Sequence, residues 1–375
     1  MNITVNGYNV FLIMLVTFIS SLILVPISKQ IAIKIGAMDE PNYRKVHKVP
    51  MPRLGGLAIF LSFLIGYIFF GPKSEKMIAI LIGSFLILLI GIIDDISPVQ
   101  ARYKLIIQII ASLIIVYYGN IYFEEISIFG LKINFGIHLS KIISTIFIIA
   151  ITNAINLIDG LDGLAAGISL IYFITISIIA FILNHNDGLD IILCLIMIGS
   201  TLGFLVYNFP PATIFMGDSG SQFLGFIISI IALLGFKTAT VTSIIIPITI
   251  LAIPIIDTIF AILRRLITKQ NIGHADKEHF HHQLLKLKYS PKSSILIIYS
   301  INIVFALISI FYTLKDGKIA IILYSAMLVL LLFIVMKTDI LFEHHKKSNT
   351  KKEILTKKTK NNLNNKKRRK HEKNN

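Results

Sequence analysis

Five carboxylates stand where this 375-residue chain turns from apolar to polar. Asp94 and Asp95 close one apolar run, Asp159 and Asp162 follow another, and Asp218 lies in Phe215-Met216-Gly217-Asp218-Ser219-Gly220-Ser221. A carboxylate left in hydrocarbon is costly unless paired or hydrated, so acids at such positions point to function. Asn156, Asp159 and Asp162 recur at three-residue intervals, which lines them along one face if the helix continues through them. Gly160 and Gly163 equally permit a break. Like charges gathered together need a counter-charge. Hard oxygen ligands among small residues suit Mg²⁺ or Mn²⁺, which keep waters and bridge substrate phosphates. A cation or proton pathway, as in a transporter, would use the same acids.

The histidines narrow the choice. His274-Ala275-Asp276-Lys277-Glu278-His279-Phe280-His281-His282 concentrates four of the ten histidines. Zn²⁺ is a rival ligand, but its sites commonly pair His with Cys, and no Cys is near. With Arg264, Arg265 and Lys277 close by, His279, His281 and His282 read as a cationic, hydrogen-bonding pocket for phosphates or sugar. A second basic stretch, with Arg44, Lys45, His47, Lys48 and Arg53, precedes Gly55-Gly56. His47 has an equal reading as a plain loop residue. Asp257 shares an apolar run with Pro247 and Pro254 and reads as a structural tie to Arg264 or Arg265.

These groups need a scaffold, and the composition says which kind. Hydrophobic residues make up 55% of the chain and charged residues 15%, against about 25% charged in soluble domains. Lipid must cover the surplus apolar surface. A helix crosses a bilayer in roughly 20 residues, and eleven runs qualify: 8–27, 55–71, 77–93, 101–118, 142–158, 164–183, 190–206, 221–236, 240–263, 294–314 and 318–336. Arg102 and Lys104 make the fourth the weakest, and the prolines predict a kinked or broken ninth. The expected fold is an all-α polytopic membrane bundle. A small external β-hairpin is expected around Phe129-Gly130, where the sequence partly alternates.

Charge then orients the bundle. Lys and Arg number 29 on connections after odd-numbered runs and in the tail, against 7 on the others. The positive-inside rule places the N-terminus outside and the tail in the cytoplasm. The five polar clusters (Asp39–Gly56, Asp94-Asp95, Asn153–Gly163, Asn208–Ser221 and His274–His282) all fall on that inner side, although the count did not use their acids, amides or histidines. One cytoplasmic site on a transmembrane catalytic domain, 1–336, is the simplest reading. Residues 337–375 carry 14 Lys/Arg and four Asp/Glu, the composition of a disordered basic tail. Its expected partner is anionic lipid rather than nucleic acid, and a solvated tail without a partner is also consistent. The first seven residues hold no Lys or Arg, so the first run is expected to be retained. Cys194, the single cysteine, excludes an intramolecular disulfide.

In these motifs the chain resembles the polyprenyl-phosphate N-acetylhexosamine-1-phosphate transferases of bacterial cell-envelope synthesis. The resemblance covers most of residues 35–290. It runs through Asp39-Glu40-Pro41-Asn42 to Pro52-Arg53-Leu54-Gly55-Gly56, Asp94-Asp95, Asn153 to Gly163, Phe215 to Ser221 and the histidine stretch, in family order. The Arg53-Leu54-Gly55-Gly56 and histidine forms are similar to the branch that serves teichoic acid, O-antigen (lipopolysaccharide) or related linkage units. The resemblance implies UDP-GlcNAc as donor, undecaprenyl phosphate as acceptor and Mg²⁺ as cofactor at the inner (plasma) membrane. It also implies a broken ninth helix. Asp218, with Asp159, would hold the metal. Phe215 would stack on uracil, and Asn156, Asp159, Asp162 and Asn208 would line the nucleotide pocket.

By the same resemblance Lys104, His279, His281 and His282 would neutralise phosphate oxygens, and Asp94 or Asp95 would act as base or position the acceptor. Arg53, His47 and Arg265 complete the expected substrate contacts. A homodimer is possible. Two other readings stay open: a muramoyl-pentapeptide transferase of the same chemistry, and a transporter for an anionic solute, whose site usually lies near the bilayer midplane.

Overall fold

The computed structural model describes residues 4–41, 49–128, 131–133, 135–184, 188–235, 245–267, 279–314 and 317–337. His47, the stretch from His274 to Glu278, the turn at 129–130 and the tail beyond Lys337 lie outside them. Residues Met1–Leu328 form one compact unit, and Val329–Asn375 fall to a second.

Each of the eleven apolar runs carries helix among the described residues. A short ribbon, β1 (Thr4–Val5) and β2 (Tyr8–Asn9), leads into α1 (Val10–Ile35). The Asn9 side chain caps α1 by accepting the Phe11 N–H at 2.8 Å. A second ribbon, β3 (Met38–Asp39) with β4 (Met51–Pro52), precedes α2 (Gly55–Phe70). Then come α3 (Glu75–Ile96) and α4 (Ala101–Leu113), the latter continued by a wider turn over Ile114–Tyr118. β5 (Ile126–Ile128) and β6 (Leu131–Ile133) pair antiparallel, Ser127 opposite Lys132, as the expected hairpin. α5 (Gly136–Ile158), α6 (Leu164–Ile182), α7 (Leu189–Asn208) and α8 (Gly217–Gly235) follow.

The ninth run is broken. It comprises α9 (Ile245–Ile250) and α10 (Ala252–Ile267). The short α11 (Phe280–Lys286), α12 (Pro291–Leu314) and α13 (Gly317–Lys337) complete the described chain. Among the described residues, eight helices are long and apolar enough to cross a bilayer. Gly55–Phe70 and Ile319–Leu330 are shorter apolar segments. The span Ala101–Tyr118 has the lowest hydropathy of the eight, 1.4, as its two cations foretold. The chain is a multi-pass membrane protein.

α8 is the axis of the unit, with every residue from Ser219 to Leu234 buried. It packs against α2, α3 and α5. Small residues allow the approach: a Cβ on Gly56 would overlap the Gly220 backbone. The ends of α3 and α5 are thereby drawn to the start of α8.

Candidate active site

The site is assembled from helix ends. Asp94 and Asp95 close α3 with 7% and 3% exposure. Asp95 reaches across to the start of α8. Its Oδ1 accepts the Asp218 N–H at 2.8 Å; its Oδ2 accepts the Ser219 N–H at 3.1 Å and the Ser219 hydroxyl at 2.6 Å. A helix start exposes N–H groups that lack partners of their own, and its dipole favours a negative charge there. One helix therefore caps the next. Arg53 donates to Asp95 Oδ1 through Nε at 3.1 Å and Nη2 at 3.0 Å. Gly217 holds φ +74°, and a Cβ there would overlap Asp95. Asp95 is saturated with donors.

Asp94 and Asp218 are less committed. Asp94 Oδ1 accepts the Val99 N–H at 2.7 Å and lies 3.3 Å from Lys104 Nζ. The same Lys104 nitrogen donates to Asp218 Oδ2 at 2.8 Å. Arg53 lies 3.7 Å from Asp218 Oδ1 and 3.5 Å from Asp39 Oδ1. Asp218 keeps 20% of its side chain exposed. Among the described residues, four carboxylates thus share two cations, a net negative set. Burial alone would lower the pKa of Arg53; the carboxylates of Asp95, Asp218 and Asp39 outweigh it and raise it. Asp159, immediately after α5, is pushed up to about 8, by burial first and then by Asp218 and Asp95.

Of the two readings of Asn156, Asp159 and Asp162, a continuous helical face or a break at the glycines, the break is what forms. α5 stops at Ile158, and Gly163 turns the chain with φ +76°. Asn156 donates to the Ser221 hydroxyl at 2.8 Å, whereas Asp162 swings away and accepts the Ala212 N–H at 3.0 Å. Asn208 accepts the Gly163 N–H at 2.9 Å and donates to the Ile214 carbonyl at 2.9 Å. Asp162 and Asn208 therefore staple two loops together through backbone bonds. Phe215 is half-buried, with its N–H on the Pro52 carbonyl at 2.8 Å and its carbonyl accepting the Gly55 N–H at 3.0 Å.

The histidines form a second group. His279 Nδ1 lies 2.9 Å from Asp257 Oδ2, and the Phe280 N–H donates to Asp257 Oδ1 at 2.9 Å. Asp257 is thus tied to the histidine segment rather than to Arg264 or Arg265. Arg265 is buried on the face of α10 that carries Asp257 and Ala261. His281 is 1% exposed and packs against Gly160. Neither of its ring nitrogens has a hydrogen-bond partner among the described residues. Burial first, then His282 and His279, hold its pKa well below the usual value. It is a neutral hydrogen-bonding group, where the sequence suggested a cation.

Known proteins show which family the chain belongs to. Residues 77–236 match the family described as glycosyl transferase family 4. Over 313 residues the chain is 46% identical to the probable undecaprenyl-phosphate N-acetylglucosaminyl 1-phosphate transferase of Bacillus subtilis (strain 168), covering 83% of this chain and 86% of that protein. The chain belongs to glycosyl transferase family 4. It is 32% identical over 301 residues to a decaprenyl-phosphate N-acetylglucosaminephosphotransferase of Mycobacterium tuberculosis (strain CDC 1551 / Oshkosh), covering 72% and 74% of the two chains. An undecaprenyl-phosphate alpha-N-acetylglucosaminyl 1-phosphate transferase of Thermotoga maritima is 30% identical over 298 residues, covering 78% and 87%.

In this family 4 transferase, no set of three acidic, His or Cys side chains among the described residues is arranged to hold a metal ion. The donor set still fits a magnesium-like ion. One cationic nitrogen, that of Lys104, already reaches both Asp94 and Asp218. Such ions need only one or two protein carboxylates beside water and substrate phosphate.

Two parts of the transferase's site escaped the sequence, and a third, Asp39, was read there only as the start of a polar cluster. Asp39 joins through the β3–β4 ribbon. An amide chain runs inward from Asp218 through Gln222 (3.2 Å) to Gln108 (3.0 Å) and Asn153 (2.7 Å). Asp257 pairs with His279. The signal available was a lone polar residue in each apolar run, and its partner lay far along the chain.

Proposed function

We propose that this transferase moves GlcNAc-1-phosphate from UDP-GlcNAc to undecaprenyl phosphate at the cytoplasmic face of the plasma membrane, with Mg²⁺ as cofactor. An oxygen of the lipid phosphate forms a bond to the sugar-bearing phosphorus of the donor. The bond from that phosphorus to the bridging oxygen breaks, and UMP leaves. The observation that carries this reading is the convergence of Asp39, Asp94, Asp95 and Asp218 with Arg53 and Lys104 at one end of α3 and α8. The names of the relatives support the substrates, and the charge bias of the connections supports the orientation.

The main barrier is anion meeting anion, so positioned positive charge is the largest available aid. Lys104 and Arg53 are held by carboxylates at the spot where phosphates would meet them. Asp218 would hold the metal, with Asp94 and Asp159 beside it, and the bound ion would offset charge on the pyrophosphate oxygens. A phosphate monoester has its second pKa at about 6, so the acceptor is largely a dianion at neutral pH and little is gained from a base. Asp94 accordingly orients Lys104 and the α3–α4 turn. Asp95 positions α8. His281 offers an uncharged ring to the sugar or the phosphate.

Purified protein in lipid nanodiscs, given undecaprenyl phosphate and Mg²⁺, should release UMP with UDP-GlcNAc. UDP-GalNAc and UDP-MurNAc-pentapeptide should release it at least about tenfold more slowly, as expected when hydrogen bonds to the sugar select it. Equal or faster release from either would refute the assigned sugar.

A further inference from the structure

We propose that Asp257 is a positioning residue for the transfer, acting through His279 by fixing which of its ring nitrogens carries the proton. The activity part of this rests on the function proposed above; the protonation part does not. Asp257 lies in an apolar helix at 5% exposure, where a carboxylate demands partners. It has two among the described residues: His279 Nδ1 at 2.9 Å and the Phe280 N–H at 2.9 Å. His279 stands immediately ahead of α11, so one carboxylate both caps that helix and turns the ring.

A carboxylate only accepts, so His279 Nδ1 must bear the hydrogen. Nε2 is then the atom left for a ligand, as acceptor in the neutral ring and as donor in the cation. A ring nitrogen fixed in this way can meet an oxygen of the sugar or the phosphate. The placement suits that task. The His279 ring lies parallel to that of His281, with centroids 5.8 Å apart, and His281 packs against Gly160, next to Asp159. The broken helix is thereby linked through two rings to the aspartate junction.

Asp257→Asn separates anchoring from protonation. The asparagine oxygen still accepts the Phe280 N–H, but its amide now donates to His279 Nδ1. The neutral ring is driven to carry its proton on Nε2. The full chain, labelled with ¹⁵N-histidine in nanodiscs, reports the ring nitrogens by NMR, with His279 assigned through His279→Gln. The expected spectrum has Nδ1 protonated in the parent and Nε2 protonated, Nδ1 bare, in Asp257→Asn.

With UDP-GlcNAc, Asp257→Asn should lower kcat about 10- to 100-fold, as loss of an orienting carboxylate does elsewhere. KM should move less than about twofold. Asp257→Glu should recover part of the loss. In a His279→Gln background Asp257→Asn should cost nothing further. An unchanged His279 spectrum in Asp257→Asn, or an equal kcat loss in both backgrounds, overturns the proposal. An inactive parent enzyme would count against the assigned reaction alone, because the spectrum still decides the protonation.

Discussion

The aspartate junction and the histidine group lie in the same compact unit but are built in opposite ways. Around Asp95, five donor contacts from Arg53, Asp218 and Ser219 meet one carboxylate. Around His281, two ring nitrogens are buried with no hydrogen-bond partner among the described residues. Asp95 is satisfied within the protein and holds helix ends and charges in place. The second lacks partners for groups already withdrawn from water, and unmet hydrogen bonds in a buried site are what a ligand can supply. On the proposed function, the cations fixed at the junction would meet phosphate and the buried ring of His281 would take up hydrogen bonds from the sugar.

Perturbing each region should therefore give different signatures. The largest expected effect is at Asp218. Its change to Ala should cut the rate of UMP release by about 10²–10³-fold or more, with Tm nearly unchanged because its side chain is partly exposed. Near-normal turnover would move the centre of the reaction elsewhere. Asp95→Ala strands Arg53 and the start of α8, and should cost about 3–5 kcal/mol of stability, read by denaturant unfolding. Asp94→Asn should leave stability intact and reduce turnover at least about tenfold. Similar destabilisation in both would erase the distinction between anchor and working residue.

Asp159 gives a pH signature. A carboxyl pushed up to about 8 in the folded chain, against about 3.9 when unfolded, holds its proton more tightly when folded. Stability from that proton is complete below the lower pKa and is lost as pH rises towards the upper one. In chelated protein, Asp159→Asn should therefore raise Tm by an amount that grows from pH 5 to 8 and then levels off. A constant difference would contradict the cause given. The smallest effect is at His281. Its change to Leu removes two unsatisfied buried atoms and should alter stability by no more than about 1 kcal/mol, while kcat/KM falls. A large drop in Tm would show that the ring is structural.

Much of this was legible in the sequence because the bilayer imposes a simple rule. An apolar run must be about 20 residues long, so α1, α3 and α7 announce themselves, and acids at their ends are conspicuous. The break of the ninth helix was visible in Pro247 and Pro254. Pairings across distant segments were not. Adjacent Asp94 and Asp95 look alike in the sequence, yet one points to Lys104 and the other caps α8, because successive helical positions face different neighbours. Three-residue spacing suggested a common face for Asn156, Asp159 and Asp162, but the left-handed turn at Gly163 sends Asp162 to Ala212. Gln108 and Gln222 carried no motif and gain meaning only because their side chains, from α4 and α8, meet in the fold.

The most direct test follows the phosphorus. UDP-GlcNAc labelled with ³²P at the sugar-bearing phosphate is incubated with the protein, undecaprenyl phosphate and Mg²⁺, and the label is partitioned between organic solvent and water. Label should pass into the lipid phase, stop doing so when EDTA removes the metal, and resume when Mg²⁺ is restored. Label that stays wholly in the aqueous phase, or transfer that continues under full chelation, would contradict a metal-dependent sugar-phosphate transfer at the aspartate junction.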